Sequence, residues 1–393
     1  MNTIEVLAQN ECCGCSACFQ KCPQNAINMI QNNEGFSYPI IDKKKCINCG
    51  LCSKVCPQLK PKQNSEGNFP KAYAMYNKDK EELLKSSSGG IFSVIARYVL
   101  ENNGVVFGAT YTKNLSVNHI KIDNIKDLDL LRGSKYVQSN INNTYIEAEK
   151  ILKTGKLVLY VGTPCQIFGL KSFLMKDYDN LITCDLVCHG VPSEKLFKKY
   201  LEYLSNKFKS KVIEYSFRNK SKNGWGLTAR VLTQDKKERF INSDFDPYYY
   251  HFLNGTIYRE SCYNCHYSTC NRCSEITLAD YWGIKSIHPD FFSENGRSLI
   301  LINNIKGEKI IQNIKDDIEF INTNLEFACS KNRNLIEPSK RKEQRNDIYM
   351  DIDNMSADKY IKKKLAYKIT CKKIIKRIIP NRIKKFLKKI INV

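Results

Sequence analysis

Eight cysteines between positions 12 and 56 limit what this chain can fold into more than any other feature. Cys12, Cys15, Cys18 and Cys22 are followed by Pro23, and Cys46, Cys49, Cys52 and Cys56 are followed by Pro57. Both runs read C-x2-C-x2-C-x3-C-P, the ligand spacing of a cubane iron–sulfur cluster. Three thiolates two residues apart can wrap one corner of a cube, because tight turns point successive sulfurs inward. The fourth cysteine then points away, and the proline stops the chain from closing back. Zinc needs four ligands in two pairs and would leave the third cysteine of each run unexplained.

In two-cluster ferredoxins the fourth sulfur of each run serves the other cluster. The expected ligand sets are therefore Cys12, Cys15, Cys18 and Cys56 for one 4Fe-4S cluster, and Cys46, Cys49, Cys52 and Cys22 for the second. Cys13 has no place in this pattern and reads as a bystander. Eighteen cysteines would suggest a disulfide scaffold only in a short secreted chain. Residues 1–10 have neither the basic start nor the apolar stretch of a secretory signal. No apolar run approaches the ~20 residues needed to cross a bilayer. These features predict a reducing cytoplasm, where thiolates hold metal.

The net charge of +22 suggests nucleic acid until it is located. Residues 359–393 hold fourteen Lys or Arg and no acid, which leaves only +8 on the preceding 358 residues. In this tail Ile374, Ile375, Ile378, Ile379, Ile383, Phe386, Leu387, Ile390 and Ile391 recur at helical spacing with basic residues between them. Such a basic amphipathic stretch fits the surface of an anionic membrane, or a helix docked on protein. Nucleic acid is disfavoured, because stacking aromatics are scarce there.

With 393 residues the chain can hold two or three domains. Residues 1–60 form the cluster module, 58–70 read as a polar linker, 71–335 as a mixed α/β body and 336–393 as a helical linker and tail. The body divides near 150 into a part at 71–150 and a part at 151–335. Strand patterns fall at 72–76, 105–111, 117–122, 157–161, 181–187 and 298–303, with helices at about 91–99, 143–153, 167–174 and 193–206 between them. That alternation predicts a largely parallel sheet covered by helices. The fold class is thus multidomain α+β or α/β: a ferredoxin-like module, a mixed α/β domain and a basic helical tail.

Ser88, Gly89 and Gly90 lead into a helix, which suits either a phosphate or a plain serine cap. Arg132 and Lys135 flank a glycine turn. Gly162, Thr163, Cys165 and Gln166 follow a buried strand, where open α/β sheets place their ligands, and Cys188 and His189 follow the next. Cys262, Cys265, Cys270 and Cys273 could hold a metal by themselves, and spacing favours that solution. Alternatively Cys165 and Cys188 converge with Cys262 and Cys265. Cys184, within a strand, reads as a small buried hydrophobe. His189 and His266, each beside a cysteine, could donate to thiolates or pair with backbone. Asp280, before Tyr281-Trp282-Gly283, reads as a buried cap or a site acid, with the cap favoured.

Taken in order, these motifs resemble the beta subunits of the deazaflavin-dependent (coenzyme F-420) hydrogenases and formate dehydrogenases. The residues carrying the likeness are the two cysteine runs, Ser87-Ser88-Gly89-Gly90, Arg132-Gly133-Ser134-Lys135-Tyr136, Gly162-Thr163-Pro164-Cys165-Gln166, Cys188-His189-Gly190, Cys262-Tyr263-Asn264-Cys265 and Asp280-Tyr281-Trp282-Gly283. They span about residues 10–335, and the basic tail resembles bacterial members encoded near polysaccharide-assembly genes. The likeness implies a bound FAD and, near it, a third 4Fe-4S cluster on Cys165, Cys188, Cys262 and Cys265. It also makes Ser88, Gly89, Gly90, Arg132, Lys135, Gly162, Thr163 and Gln166 flavin-site candidates.

The implied activity is an FAD- and 4Fe-4S-dependent oxidoreductase. It would exchange electrons with a ferredoxin-like protein or redox subunit, and a hydride with a small molecule. The alternatives are an electron-transfer module with no substrate site of its own and a membrane-peripheral partner in polysaccharide biosynthesis.

Overall fold

The computed structural model describes residues 3–59 and 70–369. Most of the basic amphipathic tail, together with Cys371, lies outside the described residues. Among those described, no helix is long and apolar enough to cross a membrane.

The cluster module is a short hairpin, β1 (Ile27–Gln31) against β2 (Ser37–Ile41), flanked by the one-turn helices Ala17–Lys21 and Leu51–Lys54. Its core is small. Ile4, Ile27 and Ile41 pack around Cys18, Cys52 and Cys56, so these three thiols lie inside the module's own apolar cluster, while Phe36 and Tyr38 join a core of the body.

The body is built on β3 (Lys71–Asn77), β4 (Val105–Tyr111), β5 (Val117–Ile122), β6 (Val158–Gly162) and β7 (Leu181–Leu186). A small sheet follows, made of β8 (Val212–Ser216), β9 (Thr228–Thr233) and β10 (Glu238–Asn242). The main sheet is completed by β11 (Ile276–Asp280), β12 (Ser298–Ile302) and β13 (Ile318–Asn322). Its eight strands run in the order β13-β3-β12-β11-β7-β6-β4-β5.

Only the central pairings β4–β6, β6–β7 and β7–β11 are parallel, and both flanks are antiparallel. The expectation of a largely parallel sheet is corrected to a mixed one. Strand–helix alternation reports the crossover units at the centre, whereas the partner of β3 is found more than two hundred residues later. Because β3 pairs with both β12 and β13, the parts before and after residue 150 share one sheet.

The central strands are apolar on both faces because helices cover both. Every residue of β6 and of β12 is buried. Helix Ile91–Glu101 presses Ile91, Ile95 and Val99 on one face with Val106, Leu159 and Ile182, and helix Pro164–Leu174 presses Ile167 and Leu170 on the other with Val105 and Tyr160. Cys184 is buried in the first of these layers, as a small hydrophobe would be.

A third core gathers tyrosines and phenylalanines between helix Glu194–Phe208, the small sheet and helix Pro247–Leu253. Tyr349, Ile352, Tyr360 and Ile361 enter this core. The stretch from 344 to 364, expected as linker and tail, therefore docks on the body through helices Gln344–Tyr349 and Ala357–Lys364.

Two buried arginines clamp the cluster module to the body. Arg259 donates through Nε to Cys12 O at 2.6 Å, through Nη2 to Ser37 O at 2.9 Å and through Nη1 to Gln138 at 3.2 Å. Arg345, with only 1% of its side chain exposed, forks onto Glu34 of the module and donates to Tyr258 O. Replacing Arg345 with Met strands the partly buried Glu34. We expect a stability loss of about 3 kcal/mol, the low end for breaking a buried pair, read as a shifted denaturation midpoint.

Candidate functional site

Turns in the module aim the two cysteine runs into two separate nests. Ser16 and Gly50, both left-handed, start the one-turn helices that carry Cys18 and Cys52. The first nest is lined by Cys12, Cys15, Cys18 and Cys56, and the second by Cys22, Cys46, Cys49 and Cys52. Cys56 thus lies with the first run and Cys22 with the second, the crosswise exchange that the spacing predicts.

Backbone donors already point at sulfur, with Ala26 N on Cys22 Sγ and Ile4 N on Cys52 Sγ, each at 3.3 Å. Burial pushes the Cys18 thiol up, and the neighbouring Cys12 and Cys56 push it further. Burial likewise raises Cys56 to about 11. Sulfurs crowded like this resist ionisation unless a cation sits among them, and that is the chemistry of a ligand set. The residues fit 4Fe-4S clusters.

A third nest lies in the body. Cys165 is in the first turn of the helix after β6, Cys188 follows β7, and Cys262 and Cys265 come from the turn around Glu260–Asn264. All four line one hollow. The parallel strands β6 and β7 end there, where open α/β sheets bind ligands.

The local folding of Cys165 is set by a capping box: Thr163 caps the helix while Gln166 Oε1 accepts from Thr163 N at 2.9 Å. Thr163 Oγ1 also lies 3.2 Å from Cys165 Sγ. Burial holds Cys188 up at about 12, with Cys165 and Cys265 adding to it. The compact alternative does not form. Cys270 pairs with Cys329, Sγ to Sγ 2.8 Å, and Cys273 packs beside the helix Pro164–Leu174 layer.

Cys13, expected to be a bystander, faces this third nest. Cys13 lines both the first nest and the third, whereas its backbone neighbour Cys12 lines only the first. Cys13 lies against Cys165 and Cys15, and its carbonyl accepts from Gln138 Nε2 at 3.2 Å. The consecutive pair Cys12-Cys13 was the available signal.

Next to the third nest opens a cavity of about 460 Å3, within the range for small-molecule sites. It shares Thr163, Gln166, Cys188, His189, Gly190 and Val191 with the nest. Gly190 takes a φ of +141°, and a Cβ there would run into the Tyr258 ring. The turn after Cys188 therefore requires glycine.

At the other end of the cavity lie Ser86, Ser87, Ser88 and Gly90, the residues leading into helix Ile91–Glu101. Gly89 lies just behind, its N–H donating to Ser298 Oγ at 2.9 Å. No side chain fits at Gly89, because a Cβ would strike Met75 O and Ser298 N.

Lys135 lines the cavity and donates to the carbonyls of Leu131, Arg132 and Gly133 at 3.1, 2.8 and 3.2 Å. Part of its surface stays open, but the surrounding protein displaces enough water to pull it down to about 7. Arg132 also lines the cavity, with its guanidinium held by Glu82 and Asp129 and its Nε by Ser93. Gly162 lies on the cavity wall, beside Gln166 and His119.

Asp280 is not the cap expected from sequence. It ends β11 on the cavity wall and takes both Nη of Arg218, at 2.5 and 3.0 Å, and Trp225 Nε1 at 2.8 Å. Trp225 in turn stacks on Trp282 at 5.1 Å. Arg218 lies 62 residues away in sequence, so no local pattern could have named it. His189 lines both hollows, and burial lowers its pKa. His266 is exposed and lines neither.

Comparison with known proteins places names beside this geometry. Residues 155–326 match the model for the C-terminal domain of the coenzyme F420 hydrogenase/dehydrogenase beta subunits. Residues 11–59 and 38–88 each match a 4Fe-4S dicluster domain. Among solved structures the chain is similar to one from the F420-reducing [NiFe] hydrogenase complex of Methanosarcina barkeri. That chain is 18% identical, with a TM-score of 0.46, and the likeness covers 70% of this chain and 92% of that one. The search of curated proteins gives no match. Residues 155–326 thus match the C-terminal domain of the coenzyme F420 hydrogenase/dehydrogenase beta subunits, behind an N-terminal 4Fe-4S dicluster match.

Proposed function

We propose that this protein is an iron–sulfur flavoprotein oxidoreductase that joins a one-electron carrier to a hydride donor or acceptor. The observation that carries this reading is continuity. The first nest and the third meet at Cys12-Cys13, and the third nest and the large cavity share the wall from Cys188 to Val191. Cubanes pass single electrons, and FAD, when bound, supplies two-electron hydride chemistry beside them.

On this reading Cys165, Cys188, Cys262 and Cys265 hold a third 4Fe-4S cluster. Ser88 to Gly90 and the cation of Lys135 receive the flavin's phosphates, with Arg132 bracing the wall behind them. Gly162, Thr163 and Gln166 form the floor between flavin and cluster. The Trp225–Trp282 stack and the Arg218–Asp280 pair close the far wall and exclude water from the reacting ring.

Electrons enter or leave at the second nest, where Cys49 is exposed, Ile47 is 61% exposed and Lys43, Lys44 and Lys45 form a rim in which Lys43 pairs with Glu5, Lys45 pairs with Asp42 and Lys44 is exposed. That rim suits an acidic redox protein of the ferredoxin kind.

The test is anaerobic purification with iron, sulfide and flavin counted per chain. We expect one FAD and about twelve irons, four for each cubane. About eight irons with no flavin would instead leave an electron-transfer module without a substrate site of its own.

A further inference from the structure

Two cysteines of the body stand outside the nests and the cavity and face each other. Cys270 Sγ and Cys329 Sγ lie 2.8 Å apart, and neither lines any of the three nests or the large cavity. Both are free thiols, 59 positions apart in the chain. Turning this contact into a bond of ~2.05 Å needs less than ~1 Å of movement.

The two sulfurs are unequal. Cys329 sits in the helix Leu325–Lys331 and is only 6% exposed, within the apolar cluster of Tyr281, Leu299, Leu301, Ala328 and Leu335. Cys270 is half-buried, in the stretch between the turn that carries Cys262 and Cys265 and strand β11. In the neutral pair it donates to Leu335 O at 3.3 Å. The hydrogen bond between the sulfurs holds Cys270 down to about 7 and pushes Cys329 far up, so the half-exposed thiol ionises first. The thiolate is the nucleophile in disulfide exchange, so the outer sulfur meets the reagent and the inner one is placed to resolve it.

A small buried hydrophobe would explain either cysteine singly. It does not explain two sulfurs from distant segments in contact, one of them reachable from solvent. Disulfides of reducing compartments are mostly transient and redox-sensing, and a poised dithiol is the form in which they rest.

What the bond would hold together follows from its neighbours. Cys329 O accepts from Asn332 N at 3.0 Å, and Asn332 lines the large cavity. Asn334 donates to Ser339 Oγ, which donates to the carbonyl of His189 beside Cys188. Cys270 lies in a segment, 265–275, that has no helix or strand of its own and begins at Cys265 of the third nest. A cross-link there ties the wall of that nest to the wall of the cavity.

We propose that Cys270 and Cys329 form a reversible thiol–disulfide site for small disulfides of the glutathione class, and that its closed form latches segment 265–275 to the helix Leu325–Lys331. The Cys270 thiolate attacks one sulfur of the small disulfide and releases the other half as a thiolate, which takes up a proton. Cys329 then gives up its proton and attacks Cys270 Sγ, expelling the second half. Two protein thiols and one small disulfide become one protein disulfide and two small thiols, and an excess of small thiol runs the exchange backward. The site needs neither bound flavin nor a third cluster, so it stands or falls separately from the proposed electron path.

The test uses the full chain, purified without air and treated with oxidised glutathione without air, its iron counted before and after. Free thiols are then blocked in denaturant, disulfides are reduced, a second label is applied and the labelled peptides are mapped. We expect the second label on Cys270 and Cys329 together, its loss after dithiothreitol treatment, and an unchanged iron count. Amide hydrogen exchange over 265–275 should slow at least about tenfold in the oxidised protein, within what a cross-link contributes. Cys329→Ser removes the resolving thiol, so Cys270 should be trapped as its mixed disulfide with glutathione, without the slowed exchange. Cys270→Ser should leave Cys329 with the first label. Should either variant fail to fold, the wild-type label map and exchange rates carry the test.

The proposal is overturned if Cys270 and Cys329 carry only the first label after treatment, or if the second label falls on the nest cysteines instead. Paired labelling without slowed exchange overturns the latch. About eight irons in the untreated chain overturns the third-cluster reading alone and leaves the label map to decide this one.

Discussion

If the proposed third cluster and FAD are bound, Cys188→Ala should cost the protein about four of the roughly twelve irons expected and disconnect the flavin from the N-terminal clusters. Cys188 is the one cysteine shared by the third nest and the wall of the large cavity. Losing it removes a ligand and opens the partition between them. Reduction of the flavin by a reduced ferredoxin should fall by about 100-fold or more, since even groups that only orient a ligand cost 10–100-fold when removed. Hydride exchange between flavin and a small-molecule dye should survive, because the cavity keeps its other walls. Stopped-flow measurement of the two half-reactions separates these outcomes. A variant with full iron and unslowed flavin reduction would place the third nest off the electron path.

Lys135 should give the second large effect, and its pH dependence has a sign that can be checked. In the cavity Lys135 sits near 7, against about 10.4 in an unfolded chain. An anionic phosphate placed beside it favours the charged form, so binding takes up a proton above pH 7. The affinity of the apoprotein for FAD should then fall up to about tenfold for each pH unit above 7.

The stability of the apoprotein should move the other way. Between pH 7 and about 10.4 the unfolded chain binds more protons at this lysine than the folded one, so folding becomes more favourable as pH rises through that window. Below pH 7 both states are charged and the cost is fully present. Lys220, also near 7, donates to Leu83 O, Ser88 O and Asn295 O and adds to the stability trend.

Lys135→Met should weaken FAD binding by about 2–3 kcal/mol at pH 7, on the order of 100-fold, and abolish most of the pH slope in affinity. Fluorescence titration across pH 6 to about 9 reads both quantities. An unchanged slope in the variant would remove Lys135 from the phosphate end.

How much of this could be seen in the residues alone follows from how local each signal is. The N-terminal nests were legible because turn spacing and ligand spacing coincide within eleven residues. Strands such as β4, β6, β7 and β12 were legible because their apolar runs are buried on both faces. The hairpin β1–β2 and the edge strand β10 were not, since a half-exposed strand such as Ile27–Gln31 or Glu238–Asn242 carries too few buried positions to stand out.

Strand direction on the flanks was missed because β3 finds its neighbours at 298–302 and 318–322, a pairing that no window on the sequence can contain. The third nest shows the same limit. Local spacing favoured Cys262, Cys265, Cys270 and Cys273, whereas the sheet brings Cys165 and Cys188 to Cys262 and Cys265. Placement at strand ends offered that set as the alternative, and the likeness to a family made it the expected one.

The pair Cys12-Cys13 has a consequence for how such a protein can change over time. One peptide unit belongs to two compartments at once, and Arg259 fastens that unit to the body by donating to its carbonyl. The front module is therefore not an interchangeable cartridge. A foreign electron-carrying unit fused ahead of residue 70, even with flawless cysteine spacing, would leave the inner hollow without its lid. Chimeras should keep their outer clusters and yet show an inner site open to oxygen, unless the graft also brings a residue that can stand where Cys13 does.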